Sequence, residues 1–379
     1  MSITVKPIAY TDPEMKDFLR VPYLVQGDNP LYVPPLMIQQ KDVLDPKKGP
    51  FHKFGTAQYF VVYDGGRPVG RLSAHVNPRH EELHSPDEGF FGFFECENNP
   101  EASRALFDAA CQWLAKRGKK AILGPMGFGI YEEVGILVDG FDTMPALLQT
   151  YNPPYYPDLV EGYGFTKAQD WYAFGGLPKQ DLPIRGNFKE RLPQILEQTG
   201  YTMRQPSADE IITRSDEALR LFNDAWGPNW GHVPFTNEEF KHILKELKPV
   251  LRPNLMRAAF DENDEMIAYL INAPDINPAI RAMRGRLTPW GIARLYWEAR
   301  YRTPRRIRSL IMGVRKEHQG RRIHLALMMS IYMEFLKFPL ENWDCSLIAE
   351  SNRATLRAYR VFEAEIYKTW RVYRYEMES

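Results

Sequence analysis

Residues that several protein classes depend on are scarce in this sequence. It holds three cysteines in 379 residues, Cys96, Cys111 and Cys345, too few and too scattered for a disulfide scaffold or a zinc cage. We expect each of them to pack as a small apolar side chain. Charge of one sign is not in excess either, because Lys plus Arg and Asp plus Glu both number 48. A neutral chain lacks the cations with which proteins coat nucleic acid, so we expect no nucleic-acid partner.

Long apolar runs are missing as well. No stretch approaches the roughly 20 apolar residues that span a bilayer, and the opening MSITVKPIAYTDPEMK has no apolar core behind a basic flank. We therefore expect a cytoplasmic protein in which any membrane contact is peripheral. With 44% hydrophobic and 25% charged residues, the composition is that of a globular protein. A length of 379 residues predicts two domains.

Two segments of the chain repeat one order of patterns: strand, helix, hairpin, strand, helix, strand, helix, strand. In the first, AQYFVVYDGGRPVGRLSAHV predicts a hairpin with its turn at Asp64-Gly65-Gly66, and NPEASRALFDAACQWLAKRG predicts an amphipathic helix. In the second, NLMRAAFDENDEMIAYLINAP predicts another hairpin. Interleaved helices and strands indicate an α/β fold. We predict domains at residues 1–185 and 186–379, with LPKQDLPIRGNFKERLP as the linker.

The segment MGVRKEHQGRRIHLALM, residues 312 to 328, holds a pattern that suits phosphate binding. A strand is predicted to end at Val314, a polar turn with Gly320 follows, and a helix begins near Arg322. The N-terminus of a helix offers unpaired N–H groups and partial positive charge, which suit a pyrophosphate. Glycine permits close approach to phosphate oxygens, and Arg321 and Arg322 add charged donors. Arginines that merely face water at a helix start would fit the same pattern.

The repeated order and this turn resemble the GNAT acyltransferase superfamily, twice over. The resemblance implies an α/β fold with two tandem GNAT-like domains, each a mixed, mostly antiparallel sheet flanked by helices. In GNAT enzymes the turn reads Q/R-x-x-G-x-G/A and holds the pyrophosphate of coenzyme A; the matching residues here are Glu317, Gly320 and Arg322. It implies coenzyme A or acyl-CoA as co-substrate, without a metal. The cofactor-binding residues that it implies are Met312, Gly313, Val314, His318, Gln319, Gly320, Arg321, Arg322, Ile323, His324 and Asn352.

Farther along the chain, SLIAESNRATLRAY supplies the candidate acid and base. Asn352 follows a predicted strand and Tyr359 comes seven residues later, about two helical turns, so both lie on one helix face. In GNAT enzymes the matching Asn contacts the cofactor and the matching Tyr protonates the leaving thiolate, which implies those roles here. Glu350, at the end of the strand, is our candidate base for an attacking ammonium group. The plain alternatives are a helix cap, a core aromatic and a solvated carboxylate.

The first half shows no such glycine turn. After GFFGFFE the helix start reads CENNPEASRAL, in which Asn99 and Pro100 indicate a cap and no phosphate cradle. The resemblance therefore implies a degenerate first domain without a cofactor site. Its long loop GPMGFGIYEEVGILVDGFDTMPALLQTYNPPYYPDL holds acidic and tyrosine side chains, which suit a cationic amine or interdomain packing. Residues 283 to 308 mix aromatics with arginines and suit a membrane surface, an acyl carrier protein or packing.

Strings spread from residue 29 to 373, among them NPLYVPPL, YNPPYY and YKTWRVY, resemble a group of bacterial tandem-GNAT proteins that is similar to bacterial ceramide synthases. In that group the turn commonly reads Q-G-R-G; here it is Gln319-Gly320-Arg321-Arg322. We predict an N-acyltransferase that moves an acyl group from acyl-CoA or an acyl carrier protein to a small-molecule amine, in this group a long-chain lipid amine. A non-catalytic acyl-CoA sensor or scaffold is the second interpretation. An aminoacyl-tRNA-dependent transferase is the third.

Overall fold

The computed structural model of the chain describes residues 2–176, 188–360 and 363–377. The predicted domain boundary at residue 185 lies outside these residues, as does the linker up to residue 187. The last part of the predicted linker is helical, because a helix begins at Phe188 and includes Pro193.

Helices and strands alternate through the described chain. In chain order, the elements up to residue 176 are β1 Ile3–Ile8, α1 Met15–Gln26, α2 Met37–Leu44, β2 Thr56–Asp64, β3 Arg67–Val76, α3 Pro78–Leu83, β4 Glu88–Cys96, α4 Pro100–Ala115, β5 Ala121–Gly124, β6 Ile136–Asp139, α5 Tyr156–Glu161 and β7 Thr166–Gly176. The elements after residue 187 are α6 Phe188–Thr199, β8 Thr202–Arg204, α7 Ala208–Thr213, α8 Ser215–Trp226, α9 Asn237–Leu247, β9 Met256–Phe260, β10 Met266–Pro274, α10 Asn277–Ala282, α11 Pro289–Arg300, β11 Arg306–Val314, α12 Ile323–Phe335, β12 Asn342–Ala349, α13 Arg353–Arg360 and β13 Glu365–Glu376. None of the helices in these described ranges is both long and apolar enough to cross a membrane.

The chain forms two compact units. The first comprises Met1–Trp171, Ile280–Gly291 and Lys368–Ser379, and the second comprises Tyr172–Ala279 and Ile292–Tyr367. The sequence repeat placed the C-terminal strand in the second domain, whereas most of β13 belongs to the first unit. Pairing explains this difference, because the end of β13 runs antiparallel to β5.

In the first unit, strands β1, β2, β3, β4, β5 and β13 are neighbours in that order. Only β4 and β5 run parallel among these pairs. Helices cover both faces: Phe60 and Val62 of β2 pack in the same core cluster as α4, and the intervening Val61 packs with α1. The Asn99 side chain caps α4 by accepting the N–H groups of Glu101 and Ala102 at 3.1 Å each, as the sequence predicted.

In the second unit the order is β12, β11, β10, β9, β8, and only β11 and β12 run parallel. Helix α12 buries Leu327 and Ile331 against one face with Ile267 of β10. Helix α8 covers the other face, where Leu221 fills the space beside Gly313. Both units are thus mixed, mostly antiparallel sheets flanked by helices, and the predicted α/β fold class is confirmed.

Candidate active site

A cleft opens in the second unit where two parallel strands separate. Strands β11 and β12 pair from Arg306–Asn342 to Ser309–Cys345, and no further pair follows. A bulge against β10, between Ile271 and Asn272, accompanies the separation. The cleft has a volume of about 90 Å³. It is lined by residues of α8 and the following loop, β11, β12 and the α13 region: Ala225, Trp226, Asn229, Ser309, Leu310, Ile311, Met312, Ser346, Leu347, Ile348, Ala349, Asn352, Thr355 and Tyr359.

Main-chain groups form one wall of this cleft. Beyond Ser309, β11 keeps β10 as its neighbour on one side but has lost β12 on the other. Its free edge therefore presents peptide groups that an extended, amide-containing ligand can complement, because unpaired strand edges bind strand-like partners. Met312 lines the cleft at this edge. The neighbouring Gly313 instead packs against α8, where a Cβ atom would lie 2.5 Å from Leu221 Cδ2.

The glycine turn before α12 presents unpaired donors. Gly320 has φ +82°, and a Cβ atom built on it would meet nothing within 4 Å, so the space beside the turn is open. Arg322 caps the helix in a left-handed conformation, φ +61°. Within the described residues, the amide N–H groups of positions 320 to 325 have no acceptor. Such donors at a helix N-terminus fit a pyrophosphate.

Two of the predicted turn residues are joined through a third that the sequence did not single out. Arg321 Nη1 donates a hydrogen bond to the Tyr201 hydroxyl at 2.8 Å. The same hydroxyl lies 2.6 Å from His318 Nδ1. Tyr201 therefore holds both side chains near the turn. Because Tyr201 is 117 positions away from His318, no local pattern could have indicated this contact.

The negative charge of Glu317, unusual at this place of the motif, is compensated. Glu317 Oε1 pairs with Arg315 Nη2 at 2.6 Å. A hydrogen bond from its own backbone amide, together with the Arg315 charge, lowers the pKa of the Glu317 carboxyl. Arg315 also pairs with Glu265 of the β9–β10 turn at 2.5 Å. Glu317 is thus tied back toward β10, which reduces its repulsion of an anion at the turn.

The other predicted turn residues occupy three kinds of position. Gln319 donates from Nε2 to the Val314 carbonyl at 3.2 Å and is exposed. Ile323 is buried in the core beneath α12, so its contribution at the turn is its main chain. His324, Arg321 and Arg322 are exposed.

Tyr359 lies in the wall of the cleft, which Asn352 also lines. Its side chain is 5% exposed, and its ring lies 5.7 Å from that of Phe174 and 6.4 Å from that of Trp343. Burial raises the pKa of the Tyr359 hydroxyl well above its ordinary value, with the neighbouring Cys345 adding to the rise. A buried phenol of this kind stays protonated and can donate to a developing thiolate.

Asn352 combines two roles in its contacts. Its side-chain oxygen accepts the N–H of Thr355 at 3.2 Å, which is a helix cap for α13. Its amide nitrogen donates to Asn229 Oδ1 at 3.0 Å, in the loop after α8. Both asparagines line the cleft, so the cap also fixes polar groups at the cleft wall.

Glu350 is not among the residues that line the cleft. It follows Ala349, the last residue of β12, which does line it. The strand-end position that suggested a catalytic carboxylate therefore places the Glu350 side chain outside the wall. The cleft wall therefore brings Tyr359 together with Asn352 but not with this candidate base, which lies in the turn after β12.

A buried polar network that the sequence did not indicate lies behind the cleft. Asp344 accepts hydrogen bonds from Ser346 Oγ at 2.5 Å and from the Tyr367 hydroxyl at 2.6 Å. The buried guanidinium of Arg308 lies 3.5 Å from the same carboxylate and donates to the Ser346 carbonyl at 3.3 Å. Ser346 lines the cleft, so this network positions its wall. The available signal was a charged residue inside each of two otherwise largely apolar strands, Arg308 in RIRSLIMGV and Asp344 in WDCSLIAE.

The corresponding separation in the first unit is closed. Strands β4 and β5 pair up to Phe90–Leu123. A Cβ atom at Gly92 would lie only 1.8 Å from the Met126 carbonyl oxygen, so main chain fills the gap. Met126 also donates its N–H to the Phe91 carbonyl at 2.9 Å. No room for a pantetheine arm is left between these strands.

Known proteins resemble the whole chain. It is 32% identical over 383 residues to the bacterial ceramide synthase of Caulobacter vibrioides, covering 98% of this chain and 97% of that protein. It is 30% identical over 364 residues to protein YghO of Escherichia coli, covering 95% and 92%. No family model matches.

Solved structures show the same fold. A tandem GNAT protein from the clavulanic acid biosynthesis pathway matches with a TM-score of 0.54 and 13% identity over 100% of this chain and 99% of its own. A GCN5-related N-acetyltransferase from Sphaerobacter thermophilus matches with a TM-score of 0.52 and 12% identity, covering 100% and 96%. The fold is thus that of tandem GNAT proteins. With relatives of 30% identity or more along nearly its entire length, the chain belongs to the family of the bacterial ceramide synthase of Caulobacter vibrioides and protein YghO of Escherichia coli.

Proposed function

We propose that the second unit is an N-acyltransferase that uses an acyl thioester, acyl-CoA or an acylated carrier protein, as donor. The observation that carries the proposal is the combination, within one unit, of a free β11 edge and unpaired N–H groups at residues 320 to 325. A pantetheine arm is extended and carries two amides, which suits the free β11 edge. A pyrophosphate suits the unpaired N–H groups at the start of α12.

In this proposal the chain contributes binding and proton transfer. Gly320 leaves space for phosphate oxygens, and Arg321 and Arg322 supply cationic donors. The cleft between β11 and β12 orients the donor, so that the amine attacks the thioester directly. Tyr359 then donates its hydroxyl proton to the leaving thiolate. Glu350, beside the cleft wall, remains our candidate to receive the ammonium proton through water.

The acceptor in this proposal is a long-chain lipid amine. Support comes from the name of the Caulobacter relative, a ceramide synthase. Further support comes from α11, whose exposed side chains include Trp290 at 86%, Trp297 at 52% and Tyr301, just beyond the helix, at 68%. Arginines lie among these aromatics, a combination suited to the headgroup region of an anionic membrane. We therefore propose peripheral membrane contact through α11.

Thiol release tests the proposal. Purified protein is incubated with acyl-CoA donors of two to eighteen carbons and a panel of amines, including sphingoid bases, and free thiol is measured. Release that requires both a donor and a lipid amine is the expected result. Coenzyme A binding without release for any amine would favour the sensor interpretation, and the absence of both would remove the proposed site.

A further inference from the structure

A second cavity lies inside the first unit, past the point where β4 and β5 separate. It has a volume of about 40 Å³. Its wall includes Glu95 at the end of β4, Glu133 from the loop after β5, Thr150 and Tyr156. The closure of the gap by Gly92 and Met126 leaves this space as a small, polar chamber, unlike the open cleft of the second unit.

Glu95 is held in a defined position. The Tyr156 hydroxyl donates to Glu95 Oε2 at 2.5 Å. Gln26 Nε2 donates to Oε2 at 2.9 Å and to Oε1 at 3.2 Å. Burial raises the pKa of Glu95 to about 7, and burial also raises the pKa of Glu133. The nearby cation that opposes both shifts is Arg71. One positive charge does not balance two carboxylates, so the chamber is acidic when both are ionised.

One further oxygen atom in the wall of the chamber lacks a partner. Within the described residues, the buried Thr150 hydroxyl oxygen takes part in no hydrogen bond. A buried hydroxyl normally has a partner, so this one indicates a ligand that brings N–H or O–H groups. Gln26, which holds Glu95, does not itself line the chamber.

We propose that this chamber binds a primary ammonium group, with Glu95 and Glu133 as counter-charges and the Thr150 hydroxyl oxygen as a further acceptor. An ammonium group has three N–H donors and no acceptor, which matches a site rich in acceptors. The small size of an ammonium group fits a small chamber. The alkyl chain of the amine would have to leave the chamber through its wall. This binding site does not depend on the proposed function, in which the acceptor amine reacts at the cleft of the second unit.

Binding of octylamine measures this site without any acyl donor. Titration calorimetry with octylamine and with octan-1-ol separates recognition of the charge from recognition of the chain. We expect octylamine to bind and Glu95→Gln to weaken it at least tenfold. Glu97→Gln, which alters an exposed carboxylate that pairs with Arg67, is the matched control and leaves binding unchanged. Equal affinity for octylamine and octanol would overturn the proposal.

Proton release gives a second measurement on the unaltered protein. A bound cation lowers the pKa of Glu95 from about 7, so binding at pH 7 releases protons. Calorimetric titrations in phosphate and in imidazole buffer give the number of protons released, because the two buffers differ in ionisation enthalpy. At pH 9 Glu95 is already ionised and contributes no protons. If Glu95→Gln does not fold, Glu133→Gln and the proton count on the wild type remain as tests. An octylamine affinity of the folded Glu133 variant equal to that of the wild type would reject the site. The absence of proton release at pH 7 would reject it too. Coenzyme A binding is measured separately, so failure here leaves the donor site standing and the reverse also holds.

Discussion

At the scale of single residues, Tyr359 in the wall of the cleft combines a packing role with a proposed chemical role. Its ring packs against Phe174 and Trp343, while its hydroxyl supplies the chemistry that we propose. The two contributions can be separated, because phenylalanine preserves the ring and removes only the O–H group.

We expect Tyr359→Phe to lower kcat by about 10²-fold, the contribution typical of a general acid, with little change in coenzyme A affinity. Tyr269→Phe is the matched control, since Tyr269 is also fully buried in the second unit but does not line the cleft. Steady-state thiol release and calorimetry provide the two measurements. Equal turnover of the Tyr359 variant and the wild type would remove the acid role.

Arg322 raises a different question, because an arginine stands in a backbone conformation that favours glycine. At φ +61° a side chain costs about 1 kcal/mol relative to glycine. Arg322→Gly should therefore raise the free energy of unfolding by up to about that amount, measured by urea denaturation. The variant also loses a cation, so we expect weaker coenzyme A binding. Arg322→Lys retains the charge and the strain; if it loses as much affinity as Arg322→Gly, charge is not what Arg322 supplies.

At the scale of elements, the N-terminus of α12 is the part on which the proposed donor binding depends. Gly320→Glu places bulk and negative charge beside the unpaired N–H groups, and we expect coenzyme A affinity to fall at least about tenfold, the effect of losing a charge-assisted contact. Gly118→Glu is a matched control: Gly118 lies in the turn after α4 at φ +76° and, like Gly320, has open space beside it. Its backbone strain is similar, but it faces no proposed ligand. Unchanged affinity of the Gly320 variant by calorimetry would contradict the site.

Helix α11 makes a separate prediction about membranes. Trp290 and Trp297 are seven residues apart and exposed on the same side of the helix. Replacing both with alanine should weaken binding to phosphatidylglycerol vesicles at least about tenfold, because inserted aromatic area is lost. Cosedimentation measures this, with Leu83→Ala as the control for an isolated exposed apolar residue. Equal binding to phosphatidylcholine vesicles would show that the arginines contribute nothing.

At the scale of the whole molecule, two buried groups make stability depend on pH in opposite directions. Burial lowers the pKa of His75 to about 3, and its ring lies among Phe51, Phe90 and Phe128. The unfolded chain binds that proton at higher pH, so His75 costs stability as pH falls below about 6.5. Glu95, with its pKa raised to about 7, acts the other way: its contribution is present at low pH and is lost as pH rises through 7.

The His75→Phe variant isolates one of these contributions. Between pH 7 and pH 5 the wild type should lose about 2 kcal/mol of unfolding free energy through His75, a loss that the variant does not share. Because Glu95 is present in both proteins, its effect cancels in the difference. Denaturant titrations at the two pH values measure it. Parallel pH profiles would show that His75 does not stay neutral in the folded protein.

What the sequence could predict was set by distance along the chain. The hairpin turn at Asp64-Gly65-Gly66 and the Asn99 cap were predictable because each depends on residues a few positions apart. The contact of Tyr201 with His318, and that of Asn229 with Asn352, join positions more than 100 residues apart and leave no local pattern. The placement of β13 was missed for the same reason, since the repeat fixes an element's type but not its pairing partner.

The free edge of β11 has a consequence for how such a protein can diversify. Peptide groups are the same whatever side chains accompany them, so substitutions at Leu310, Ile311 or Met312 can reshape the cavity without altering the row of amides beside it. A preference for one acyl chain length over another can then change while binding of the common portion of the proposed donor persists. The β11–β12 ladder ends at the pair Ser309–Cys345, and this ending thereby separates what a family must keep from what it is free to vary.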